Sequence, residues 1–113
     1  MARPEELAQQ QLDAYNKQDI DAFVSVYSKD VVVRNFPSNQ VSLFGIEQFR
    51  ERYANLFQTN PNQRAELKSR IVKGNIVIDH EYVTGRANGE AVEEAIAIYE
   101  VSEDKILNVW FVK

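Results

Sequence analysis

One histidine stands among 113 residues, His80, and there is no cysteine. Imidazole moves protons readily near neutral pH, so His80 is the first candidate for acid–base chemistry. Alternation along the segment puts Ile76, Ile78, His80 and Tyr82 on one face and Val77, Asp79, Glu81 and Val83 on the other. His80 therefore shares an apolar face with Ile78 and Tyr82. That setting suits a pocket acid–base group, or a core histidine satisfied by a tyrosine or a backbone carbonyl. Asp79 and Glu81 flank it but point the opposite way, so the triplet is no dyad and the two carboxylates read as a solvated surface. Glu93 shares parity with Ala95, Ala97 and Tyr99, and Gln11 and Tyr15 stack one turn apart on a single helical face.

Other chemistries lack their residues. Without cysteine there is no thiolate nucleophile, disulfide or thiolate zinc site, and a lone histidine cannot assemble the usual zinc sets. No acidic loop has calcium spacing, and neither Gly-x-Ser-x-Gly nor a glycine-rich phosphate loop occurs. Neither a metal nor a nucleotide cofactor is expected. Thirteen Lys and Arg against 17 Asp and Glu give a net charge of −4 with no basic run, which argues against a nucleic-acid partner. Apolar runs are too short to span a membrane, and Met-Ala-Arg-Pro-Glu-Glu lacks a signal peptide's apolar stretch, so a cytoplasmic protein is expected.

The elements that must carry these side chains follow from periodicity. Pro4 to Lys17 reads as a helix, with Pro4 in its first turn and Leu7, Gln11, Leu12 and Tyr15 at helical spacing. Asp19 can cap a second helix bearing Ile20, Phe23, Val24 and Tyr27. Val31-Val32-Val33 is β-branched, Pro37-Ser38-Asn39 is a turn, and Gln40 to Phe44 is a short strand. Gly45 opens a third helix through Phe57, ended by Asn60-Pro61-Asn62. Four strands follow: Arg64 to Lys73, a Gly74-Asn75 turn, Ile76 to Val83, a turn from Gly85 to Gly89, Glu90 to Val101, and Lys105 to Val112. The last two are apolar on both faces, which predicts a homodimer through the sheet face with Ile96, Ile98, Ile106 and Trp110 at the contact. A single domain over residues 1–113 is expected, of α+β class.

The opening, Tyr15-Asn16-Lys17-Gln18-Asp19-Ile20-Asp21-Ala22-Phe23 through Tyr27-Ser28-Lys29-Asp30-Val31-Val32-Val33, resembles the nuclear-transport-factor-2-like superfamily, in its SnoaL-like and ketosteroid-isomerase-like branch. Gly45 to Phe57, with Phe49-Arg50 and Tyr53-Ala54-Asn55, is similar to that family's third helix. The resemblance implies a cone-shaped α+β barrel, three N-terminal helices packed on a strongly curved mixed or antiparallel sheet, with a hydrophobic pocket between the layers. It also implies that the isomerase residues are missing. The oxyanion tyrosine's position falls on Gln11, the basic aspartate's on Asn35 and the protonated aspartate's near Ala97, and none of these can substitute chemically. Tyr53 matches a supporting tyrosine. In such a cone His80 and Glu93 would be the catalytic pair, and Gln11, Tyr15, Asn35, Tyr53, Tyr82 and Tyr99 would contact the ligand.

The reading that follows is a cofactor-free isomerase, dehydratase or cyclase acting on an apolar carbonyl compound. Its rivals are a non-catalytic binder of a hydrophobic metabolite and a dimeric scaffold whose cavity its own side chains fill.

Overall fold

A computed structural model describes residues 3–87, 89 and 92–112. Three helices, α1 (Pro4–Lys17), α2 (Ile20–Ser25) and α3 (Ile46–Thr59), pack on a six-stranded sheet. Its strands are β1 (Tyr27–Phe36), β2 (Val41–Phe44), β3 (Arg64–Lys73), β4 (Ile76–Thr84), β5 (Glu93–Ser102) and β6 (Lys105–Val112), in the spatial order β2-β1-β6-β5-β4-β3. Only the β1–β6 contact is parallel, so the sheet is mixed; it is curved and not closed. This is the α+β architecture that periodicity and resemblance predicted. Glu90 and Ala91, the expected start of the fifth strand, and Asn88 in the preceding turn lie outside the described residues. Among the described residues no helix is long and apolar enough to cross a membrane.

Local chemistry sets the helix ends. Asp19 caps α2 by accepting from the Ala22 amide at 3.1 Å, and Gln18, left-handed at φ 56°, ends α1. Asn16 docks that end on the sheet: its amide donates to the Ala65 carbonyl at 2.9 Å while its oxygen accepts from the Ala65 amide at 2.8 Å. Tyr27, expected to extend α2, instead begins β1.

Between the layers lies an aromatic cluster centred on Phe23, which is 1% exposed and touches Tyr15, Tyr27, Phe49, Tyr53 and Phe57, with ring centroids 4.9–6.0 Å away. Val31, Val77, Val109 and Ile106 complete the core from the sheet.

Two bulges reset side-chain parity, and the one in β6 corrects the sequence reading. In β3 the register slips between Leu67 and Ser69, so Ala65 and Leu67 face the helices, Ile71 faces away, and Arg70 stands beside Asp79. In β6, Val101 pairs with Ile106 but Glu100 pairs with Asn108, leaving Leu107 extra. Ile106 is consequently buried in the core and does not join the outer face, where Ile96, Ile98 and Trp110 do lie.

Removing the ring at the centre of the cluster leaves a void that five aromatic neighbours cannot all fill. Phe23→Ala is expected to lower unfolding free energy by about 3–5 kcal/mol in urea denaturation, with the m-value unchanged.

Candidate functional site

β4 carries the candidate acid–base side chains, with its parity the reverse of the expected one. Val77, Asp79, Glu81 and Val83 are buried toward the helices, while Ile78, His80 and Tyr82 are half-buried on the opposite face. His80 is thus absent from the walls of the interior cavity. Its Nε2 lies 2.6 Å from Glu94 Oε2, and its ring meets Tyr82 edge-on at 5.4 Å. Tyr82 is on that outer face too, with Lys68 Nζ 5.1 Å from its ring centre. The two carboxylates read as solvated surface are the interior ones.

Asp79 is fully buried and answered by Arg70, whose Nε and Nη2 donate to its two oxygens at 2.7 and 2.9 Å. Arg70 Nη1 also donates to Gln9 on α1 at 3.0 Å. Glu81 has no such partner. Its Oε2 is buried without a hydrogen bond, and burial first, then the neighbouring Asp79 charge, raises its pKa from 4.5 to about 7 against the pull of Arg70.

Glu81 lines an interior chamber of about 100 Å³ with Gln11, Tyr15, Tyr27, Tyr53, Tyr99 and Arg86, closed by Leu12, Phe23 and Val83. Gln11 uses both ends of its amide here, donating to the Tyr99 hydroxyl at 3.2 Å and accepting from Tyr27 at 3.1 Å. With Gln11 donating to its oxygen, the Tyr99 O–H proton points elsewhere. Burial holds both phenols well above their ordinary pKa, so they remain neutral donors.

Outside the chamber is a wider recess of about 560 Å³ that includes Asn35, Arg52, Glu93 and Glu94 and shares the walls Tyr53, Leu56, Arg86, Ala95 and Phe111 with the chamber. Glu93, expected at the cavity mouth, lines this recess 3.5 Å from Arg86 Nη1. Of the sequence candidates, Gln11, Tyr15, Tyr53 and Tyr99 meet in the chamber, Asn35 and Glu93 in the recess, and His80 and Tyr82 in neither.

Arg86 reaches this junction because of Gly85. At φ +76° a Cβ on Gly85 would stand 2.1 Å from the Asn62 carbonyl oxygen, so only glycine lets the end of β4 close on the Asn60–Gln63 loop. Asn60 Oδ1 then accepts from the Ala87 amide at 2.9 Å. Among the described residues no group of three His, Cys, Asp or Glu could hold a metal ion.

Three helices on a curved, unclosed mixed sheet make an α+β fold of the nuclear-transport-factor-2-like kind. The chain belongs to the SnoaL-like domain family, whose pattern matches residues 8–109. It is similar over the full length of both chains, at 29% identity and a TM-score of 0.89, to an uncharacterised cystatin-fold protein from Novosphingobium aromaticivorans. A proposed polyketide cyclase from Sinorhizobium meliloti shares the fold at 17% identity and a TM-score of 0.79, over 94% of this chain and 93% of that one. So does a proposed ketosteroid isomerase from Kribbella flavida, at 14% identity and a TM-score of 0.80, over 96% and 76%. Among curated proteins none matches the chain.

Glu81 couples stability to pH. Its folded pKa of about 7 lies above the ordinary 4.5, so the native state binds the extra proton between those values. The resulting stabilisation is fully present below pH 4.5 and is lost as pH rises through about 7, on the order of 3 kcal/mol in all. Urea unfolding of the wild type against Glu81→Gln should show this component of the decline between pH 5 and 8 only in the wild type. Equal slopes would contradict it.

Proposed function

We propose that this protein is a cofactor-free enzyme that enolises a small carbonyl compound, with Glu81 moving the proton. The observation that carries the reading is the Glu81 carboxyl itself: buried on the chamber wall, one oxygen unpaired, with a pKa raised to about 7. A base poised near the working pH transfers protons in both directions efficiently. Glu81 as carboxylate removes a proton from the carbon beside the carbonyl, and the electron pair shifts onto oxygen as an enolate. Tyr99, whose proton is free of Gln11, donates to that oxygen. The protonated Glu81 then returns its proton to another carbon for an isomerisation, or to a departing hydroxyl for a dehydration. An enolate attacking a second carbonyl of the same molecule gives a cyclisation.

A substrate-independent assay tests this. Ketones incubated in D2O should exchange α-hydrogens faster with wild type than without protein, followed by NMR. Glu81→Gln should cost about 10²–10⁴-fold and His80→Ala little. Exchange should rise with pH to a plateau above about 7, since the carboxylate is the active form. Loss in His80→Ala with an active Glu81→Gln would return the role to the histidine.

A second reading, the scaffold, draws support from the chamber's modest size, about 100 Å³ against the roughly 300 Å³ at which ligand pockets usually begin. A ligand spanning chamber and recess has more room, and small carbonyl compounds need less. Absence of exchange with every ketone would favour the scaffold.

The partner we propose for the sheet is a second copy. Ile96, Ile98 and Trp110 stand on the face away from the helices, near Ile71 at 63% exposure, which is the kind of surface a two-fold dimer covers. Sedimentation should give about twice 13.0 kDa, and Ile98→Lys should give the single-chain mass.

A further inference from the structure

Three buried side-chain atoms among the described residues have no hydrogen-bond partner: Glu81 Oε2, Gln63 Nε2 and Arg86 Nε. Buried polar atoms nearly always find partners, so three around one point are a signal. That point is Tyr15, whose hydroxyl donates to Gln63 Oε1 at 2.9 Å and accepts from Arg86 Nη2 at 3.1 Å. Tyr15, Glu81 and Arg86 all line the chamber. Acid–base chemistry uses the Glu81 oxygen. The other two atoms are N–H donors, and what they lack is an acceptor.

Arg86 stands where chamber and recess share a wall. Its guanidinium has five N–H groups, yet its one hydrogen bond among the described residues is to the Tyr15 phenol. Glu93 Oε2, at 3.5 Å from Nη1, offsets charge without hydrogen-bond geometry. Arg70 shows how the same fold completes such an edge, with Nε and Nη2 both on one carboxylate. On Arg86 that edge has Nη2 on a neutral phenol and Nε on nothing.

We propose that the Nε edge of Arg86 binds a carboxylate of the substrate, which is therefore a small oxo acid. Its reacting carbon lies in the chamber with Glu81. That placement rests on the acid–base reading above, whereas the carboxylate site does not. A monoanion fits better than a phosphate, because Glu93 already offsets part of the Arg86 charge and a dianion would face two carboxylates. Arg52 adds a second cation in the recess. The chamber, at about 100 Å³, is smaller than the roughly 150 Å³ cavity that holds benzene, so the head entering it is a few carbons long.

Calorimetric titration with 4-oxopentanoate, pentan-2-one and inorganic phosphate tests the site by binding alone. Wild type should prefer 4-oxopentanoate to the uncharged ketone by about tenfold or more, the usual effect of a charge-assisted hydrogen bond. Arg86→Gln should abolish that preference, Arg86→Lys should keep part of it, and Glu81→Gln should keep or strengthen it. Thermal melts confirm that each variant is folded. The proposal is overturned if wild type binds neither compound, shows no carboxylate preference, keeps it in Arg86→Gln, or takes phosphate equally well. If Glu81→Gln still exchanges α-hydrogens while Arg86→Gln loses the preference, the carboxylate site stands and the catalytic role of Glu81 falls.

Discussion

The interior of this fold depends on one ion pair. Asp79 has no exposed surface, and an isolated carboxylate there would cost several kcal/mol to desolvate. Arg70 meets it with two parallel hydrogen bonds, and its remaining end ties β3 to Gln9 of α1. The pair fixes a charge of each sign beneath the helix layer. It also acts on the next inward residue, because Arg70's guanidinium is spent on Asp79. Glu81, two positions along, meets a nearby negative charge and a cation already engaged. Burial first, and then the Asp79 charge, raise its pKa above the ordinary value against the pull of Arg70.

That arrangement exists because β3 carries an extra residue. The two-residue turn at Gly74-Asn75 pairs Ile71 with Ile78 and Arg70 with Asp79. Unbroken alternation from there would put Ala65 on the face of His80 and send Asp79 outward whenever Ala65 faces inward. The bulge at Lys68 removes that link: Ala65 and Leu67 face the core and so does Arg70. One inserted residue converts a strand with a histidine inside into a strand with two carboxylates inside.

The elements were legible in the residues. β3 and β6 have the predicted limits, as does α1, because proline, caps and turn residues mark them. Parity on β4 was not. Both of its faces carry aliphatic or aromatic side chains, so hydrophobicity alone could not choose between Ile78-His80-Tyr82 and Val77-Asp79-Glu81-Val83, and the acidic residues decided the wrong way. A usable signal was present in the basic residue on the neighbouring strand, Arg70, which the hairpin turn sets opposite Asp79. An arginine set directly across a hairpin from a carboxylate allows that carboxylate to be buried as an ion pair. For β6 no residue type announced the bulge at Leu107, and Ile106 moved from the expected outer face to the core for that reason.

The family resemblance assigned three positions to residues that cannot perform isomerase chemistry, and the structure explains what one of them does instead. Gln11 is a joint, accepting from Tyr27 and donating to Tyr99, so a single amide sets the rotation of two phenols and leaves the Tyr99 proton available. Asn35 sits farther out, on the recess wall, where an amide can meet solvent. On the proposed reading, the base has moved from the end of β1 to the middle of β4, and the oxygen-binding donor from α1 to β5. Such a relocation is physically permitted because Gln11, Glu81 and Tyr99 converge on one chamber of about 100 Å³, beside the recess that Asn35 lines. What the chemistry requires is a buried carboxyl and a neutral donor around that space, and the curved sheet can supply them from several strands.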